Sequence, residues 1–287
     1  YKLYDCKDHL RTDIAIDFLN KKEDESPFFL FMSYRAPHSF EGPIRDTLLY
    51  ADKGWPEIER VHAAKITLLD KQVGRLLEKL KEINQLDNTL ILFTSDNGPH
   101  YAKDGHELEF FDSNGQFKGG KRDLYEGGIR VPLIAYWDQN ILPGSVSNHV
   151  SSFQDIMPTF SEIIGFENVH DTDGISFLPT LLSKRQKKHK FLNWEFQLSG
   201  WFQTIPSGGF RQSVRLENWK AVRYNLNSDI ELYNLKNDPG ETKNIAKLHP
   251  NIINRVDSIF KISRTDAAGF PYGGVKQDYK SMDVYDF

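Results

Sequence analysis

Apolar and polar positions follow two rhythms along this chain, and the change comes near residue 188. In the first part, long helical periods are separated by short, wholly apolar runs. Thr12 to Lys22 sets Ile14, Ala15, Phe18 and Leu19 on one face, which predicts a helix. Glu59 to Asn84 carries the strongest helical period, with Val61, Ile66, Leu69, Val73, Leu76, Leu77, Leu80 and Ile83 on one stripe, and Leu86-Asp87-Asn88 closes it. Phe28 to Tyr34, Thr89 to Thr94 and Val131 to Trp137 are short continuous apolar runs bounded by turn residues, the pattern of strands covered on both faces. Strand, long helix, strand predicts a right-handed crossover and a mostly parallel central sheet flanked by helices, an α/β fold. Phe153 to Gly165 predicts one more helix, with Gly165 as its stop.

Beyond Lys188 the runs shorten. Phe191 to Phe196, Gln212 to Glu217, Lys220 to Tyr224 and Glu231 to Leu235 are strand-like segments separated by turns, which predicts a smaller antiparallel sheet. Ile245 to Ile262 reads as a closing helix, and Asp266 to Phe287 has no clear period. The expected division is residues 1–187 as the larger α/β domain and 188–287 as an α+β subdomain. There is no internal repeat.

Ligands of open α/β sheets sit beyond the carboxyl ends of the strands. Two such ends carry chemistry here: His38 after the first apolar run, and Asp96-Asn97 after the second. A carboxylate beside an amide oxygen suits Ca²⁺ or Mg²⁺, but Ca²⁺ takes ~6–8 oxygens, so further ligands are needed. Lys121 stands just before a turn with two glycines, Gly127 and Gly128. A lysine ammonium is a compact point charge that suits a tetrahedral oxyanion, and glycines let backbone approach a ligand closely. Arg130 is expected to pair with Glu126. His38 is a donor or proton carrier for an anion. His100, His106, Glu195 and Arg211 are further polar candidates for substrate contact. The aromatic stretch Trp194 to Phe202 suits either a sugar-stacking surface or the core of the second sheet.

Composition narrows the field. The 287 residues are 39% hydrophobic with a net charge of −4, so an anionic ligand must be met by local positive charge. The densest basic cluster, Lys184 to Lys190, reads as a solvated loop, and no nucleic-acid partner is expected. Cys6 is the only cysteine, so neither an internal disulfide nor a thiolate metal site can form. No apolar run approaches the ~20 residues that cross a bilayer. The chain begins at Tyr1 rather than methionine, and a further N-terminal part is expected. There is no P-loop, no His-Glu-x-x-His and no Gly-x-Ser-x-Gly elbow.

Ser95-Asp96-Asn97-Gly98, Phe110 to Gly115 and above all Gly120-Lys121-Arg122-Asp123-Leu124-Tyr125-Glu126-Gly127-Gly128-Ile129-Arg130-Val131-Pro132 resemble the formylglycine-dependent sulfatases of the alkaline phosphatase superfamily. Phe28 to His38 is similar to the family's strand and Pro-His loop, with Phe40 where a proline is expected, and Glu231 to Asn244 is similar to its C-terminal turn. The resemblance implies hydrolysis of sulfate esters, of a sulfated carbohydrate or an aryl sulfate, with Ca²⁺ as cofactor. It implies that Asp96 and Asn97 are calcium ligands, that Lys121 contacts the sulfate and stabilises the leaving oxygen, and that His38 contacts the sulfate or protonates the leaving group. It also implies a periplasmic or extracellular site of action. The family's nucleophile segment and its two leading aspartates have no match here, and Cys6, followed by Lys7-Asp8-His9, does not fit the modification motif. The chain is therefore expected to be inactive alone, with part of its calcium site missing and an apolar sheet edge that favours self-association. The alternatives are an inactive remnant that at most binds a sulfated glycan, and a phosphatase or phosphodiesterase of the same superfamily.

Overall fold

A computed structural model describes residues 7–22, 26–38, 47–100, 106–166, 172–197, 209–265, 267 and 272–273. They form two compact units that interleave along the chain rather than dividing at one point near residue 187. The first takes Tyr1–Phe93, His100–Ser113 and Leu133–Leu142, and the second takes Thr94–Pro99, Asn114–Pro132 and Pro143–Phe287.

The first unit is built on helices α1 (Asp8–Asn20) and α2 (Glu57–Glu82), which lie against each other. α2 has Glu57 and Glu59 in its first turn and Lys79 and Lys81 in its last, matching the helix dipole at both ends. Arg75 of α2 reaches Asp13 of α1 at 2.6 Å. Ala64 packs on Ala36 with Tyr50, Leu68 and Leu69 around them. Strands β1 (Ile91–Thr94) and β2 (Leu133–Tyr136) pair in a two-stranded sheet, and α3 (Leu108–Phe111) is a single turn between them.

Among the described residues, the expected mostly parallel central sheet is not seen beyond the β1–β2 pair. Among the described residues, 28–34 are extended but belong to no sheet. Their burial alternates, with Phe29 71% and Phe31 78% exposed, so one face is covered and the other open. A segment becomes a strand only when a neighbour takes its N–H and C=O groups. Here Tyr34 N–H turns back to the Met32 carbonyl, and the carboxylate of Asp8 takes the N–H groups of Arg35 and Ala36. Ile134, in β2, is likewise exposed rather than buried on both faces.

The second unit carries the antiparallel sheet that the short C-terminal runs predict. Its order is β3 (Leu192–Gln197), β4 (Phe210–Leu216), β5 (Trp219–Arg223) and β6 (Glu231–Asn234). Period-two alternation gives the sheet two different faces. Val214, Leu216, Ala221 and Leu232 point to one side and pack on Val256, Ile259 and Phe260 of helix α5 (Pro250–Ile262). The register puts Arg211, Ser213, Arg215, Lys220, Val222, Glu231 and Tyr233 on the other side. That face receives the loop 117–132, with its one-turn helix α4 (Glu126–Ile129), through Leu124 and Tyr125. Trp194 and Phe196 belong to this packing, while residues 198–202 lie outside the described ones.

Phe260 is fully buried in the α5 seam. Truncation of a buried phenylalanine costs ~3–5 kcal/mol. Phe260→Ala is expected to lower the urea-unfolding free energy by that amount.

Candidate functional site

The two motifs that carry the sulfatase-like chemistry are joined backbone to backbone within the second unit. After β1, Thr94 donates from Oγ1 to the Pro132 carbonyl at 2.8 Å, and Ser95 Oγ closes the turn onto the Asn97 carbonyl at 3.0 Å. The Gly98 N–H then donates to the Gly128 carbonyl at 2.9 Å, and the Lys121 N–H to the Pro99 carbonyl at 2.7 Å. Such close passage explains two glycines. A Cβ on Gly98 would stand 1.8 Å from the Gly127 carbonyl oxygen, and one on Gly128 2.2 Å from that of Asp123. Asp96 and Lys121 are brought near enough for Asp96 to favour the lysine's charged form, although partial burial is the larger influence and lowers its pKa.

The Lys121 turn is mounted on the polar face of the sheet. Arg211 on β4 donates from Nη1 to the Arg122 carbonyl at 2.7 Å and to Asp123 Oδ1 at 2.9 Å. Asp123 Oδ2 accepts from the Gly120 N–H at 3.2 Å, and Asn114 donates to the carbonyls of Phe117 and Gly119. Arg122 itself sits at φ +78°, a region that costs a non-glycine residue ~1–3 kcal/mol and persists only where its surroundings impose it.

Glu126 is the deepest anchor. It receives Lys220 at 3.0 Å and Arg215 at 3.1 Å, with Arg130 farther off at 3.7 Å, so the expected Glu126–Arg130 pair exists but is its outermost contact. Burial opposes its ionisation, yet the attraction of Lys220 and Arg215 holds its carboxyl below the usual range. Glu241 accepts the Glu126 N–H at 2.7 Å, and burial pushes its own carboxyl up to about 7. Alongside, Tyr125 and Tyr233 donate their hydroxyls to Glu231, and Lys118 lies 3.9 Å above the Tyr125 ring. The sequence analysis did not pick out Lys220, Arg215, Glu241 or this tyrosine cluster. The signal for the two cations is the set Arg211, Arg215 and Lys220 on one strand face, which a polar-outside reading would leave to solvent.

The remaining candidates are placed as follows. His38 belongs to the first unit, where its N–H donates to the Arg35 carbonyl at 2.8 Å and its carbonyl accepts from Lys65 at 2.9 Å, so the backbone around it is fixed from both sides. His100 is half-buried in the same unit. His106 is buried there, with Nδ1 on Glu59 at 2.5 Å, Nε2 on Ser113 Oγ and its ring stacked on His62, so both nitrogens are taken up inside the protein. Glu195 accepts from Gln212 at 2.6 Å and from Arg264 at 3.0 Å. Arg211 is 3% exposed. Asp96, Asn97 and Lys121 are gathered into one local arrangement within the second unit, with Arg211 behind the Lys121 turn.

Asp96 and Asn97 fit a hard divalent ion by donor type. Asn97 Nδ2 is committed to the Gly98 carbonyl at 2.8 Å, which reserves its amide oxygen as the acceptor end. By number they do not complete a site, and among the described residues no cluster of three or more His, Cys, Asp or Glu adds to them.

Over residues 1–166 the sequence matches the sulfatase family model, and over residues 113–260 the model described as N-sulphoglucosamine sulphohydrolase, C-terminal. The chain belongs to the sulfatase family. Uncharacterized sulfatase YdeN of Escherichia coli strain K12 is 29% identical over 93% of this sulfatase chain and 52% of its own length. Human N-acetylgalactosamine-6-sulfatase is 30% identical over 79% of this chain and 46% of its own length. The sulfatase chain thus spans about half the length of the curated relatives it matches. Among solved structures, Ps i-CgsB in complex with k-i-k-neocarrahexaose superposes with a TM-score of 0.77 at 25% identity, covering 93% of this chain and 56% of that one.

Removing one partner of a buried ion pair costs ~3–5 kcal/mol, because the other charge is stranded. Glu126→Gln is therefore expected to destabilise the fold by that amount in urea unfolding. The pH dependence has a separate window. The folded-state pKa of Glu241 is raised from 4.5 to about 7, so between these values the folded state holds a proton that the unfolded chain has released. Its contribution to stability falls as pH rises through this window and is level above it. Urea midpoints measured at several pH values across the window should show that fall, and Glu241→Gln should remove it.

Proposed function

We propose that this chain supplies the leaving-group lysine and two calcium ligands of a sulfatase centre acting on sulfate esters of carbohydrates. The observation that carries the reading is the direct lock between the Ser95-to-Pro99 turn and the Lys121 turn, which sets an ammonium beside a carboxylate–amide pair. Lys121 would contact the sulfate and stabilise charge on the departing alcohol oxygen. His38, held by its backbone, would be the second donor to the ester. Asp96 and Asn97 would hold Ca²⁺, which when bound neutralises charge on the sulfate oxygens. The names of the relatives support a sugar substrate: one is called N-acetylgalactosamine-6-sulfatase, and the solved structure is a complex with k-i-k-neocarrahexaose.

The family's formylglycine arises from a cysteine, and the one cysteine here, Cys6, lies in a sequence unlike the modification motif. Anion binding rather than turnover is therefore the activity expected of these 287 residues. A second reading is a chain that holds a sulfated glycan without cleaving it. Calorimetric titration with inorganic sulfate tests the shared core of both. Binding is expected, with Lys121→Ala weakening it about tenfold or more, the equivalent of a lost charge-assisted hydrogen bond. An unchanged affinity in Lys121→Ala would refute the assignment. Sulfate release from sulfated oligosaccharides by the homogeneous 287-residue chain would overturn both the expectation of binding without turnover and the second reading.

A further inference from the structure

We propose that Arg211 is a positioning residue, one that sets the ammonium of Lys121 by clamping the turn on both sides of it and does not itself touch substrate. The inference rests on the reading of Lys121 as the anion-contacting lysine. Arg211 stands on β4, on the sheet face that receives the 117–132 loop. One nitrogen, Nη1, gathers two acceptors, the Arg122 carbonyl at 2.7 Å and Asp123 Oδ1 at 2.9 Å. The other oxygen of that carboxylate takes the Gly120 N–H at 3.2 Å, and the Asp123 N–H returns to the Gly120 carbonyl at 2.9 Å. The residue before Lys121 is thus held through Asp123 and the residue after it directly by Arg211. The Tyr224 ring lies 4.7 Å from the guanidinium, and its hydroxyl donates to Asp123 Oδ1 at 3.3 Å.

Two physical consequences follow. The Arg122 carbonyl and the Asp123 carboxylate converge on one point, and without a cation there they repel each other inside a buried site. The turn would then relax away from the φ of +78° at Arg122, which only imposed contacts sustain. A lysine at 211 would restore the charge but not the planar fork or the stacking on Tyr224, so it is not an equivalent replacement. Arg211 is also 3% exposed, which leaves a dissolved anion no route to it except by opening this turn.

The test watches Lys121 itself. Lysine amines are methylated with ¹³C, and the Lys121 signal is assigned by its loss in Lys121→Arg. In Arg211→Lys and in Asp123→Asn, with the circular dichroism of the sheet unchanged, that signal should move or broaden, and affinity for inorganic sulfate should fall about tenfold, the scale of one hydrogen bond to a charged group. Tyr224→Phe, the mildest variant, should move the signal the same way by less. Folded Arg211→Lys and Asp123→Asn proteins with an unmoved Lys121 signal would overturn the proposal. So would a loss of sulfate affinity without movement of that signal, because Arg211 would then be meeting the anion directly. Should the unaltered chain not bind sulfate, the reading of Lys121 fails, while the Lys121 signal in the variants still decides whether Arg211 positions it.

Discussion

The buried carboxylate of Glu126 is the constraint on which the second unit depends. It lies within the Tyr125-Glu126-Gly127-Gly128 turn and is met from the sheet by Lys220 and Arg215. None of these charges could be buried alone, because an isolated ion in a low-dielectric interior is strongly disfavoured. The loop therefore has one seating on the sheet, the seating in which the carboxylate meets its cations. Once seated, the glycines come against Gly98, the Lys121 N–H finds Pro99, and the sheet's position is transmitted to the Asp96-Asn97 turn. A pair of this kind adds little net stability over an apolar filling, but it penalises every misplaced register.

Much of this was legible in the sequence, and the misses have identifiable causes. The α2 period and the short C-terminal runs gave elements that the structure shows within a few residues, because each is decided by local alternation. Asp96 and Asn97 were singled out by their place at a strand end and Lys121 by its place before a glycine turn, and the structure brings those two turns together. The apolar run Phe28 to Tyr34 misled, because hydrophobicity reports what a segment could bury and not which neighbours pair with it. His106 was singled out as a polar residue in a long loop. Its partners Glu59 and Ser113 lie 47 positions before it and 7 after it, and the Glu59 contact is invisible to spacing. Arg211 drew attention for its charge, but only the register of β4 against β3 shows which face it serves.

The first unit repeats the same economy on a smaller scale. Asp8, fully buried at the start of α1, takes the N–H groups of Arg35 and Ala36, and Lys65 of α2 takes the carbonyl of His38. The main chain of the loop at His38 is thereby tied to two helices.

In the second unit the groups that hold the Lys121 turn are distinct from Lys121 itself, and the separation has an electrostatic consequence. Glu126 with Lys220 and Asp123 with Arg211 are buried pairs, so dissolved salt screens them weakly. Lys121 is only partly buried, and its interaction with an anion from solution is screened in the ordinary way. Raising ionic strength should therefore weaken capture of a sulfated ligand while leaving the mount of the lysine intact. On the proposed reading, the contacts that hold the Lys121 turn are ones the medium scarcely reaches, and the affinity for a sulfated ligand rests on one that it does.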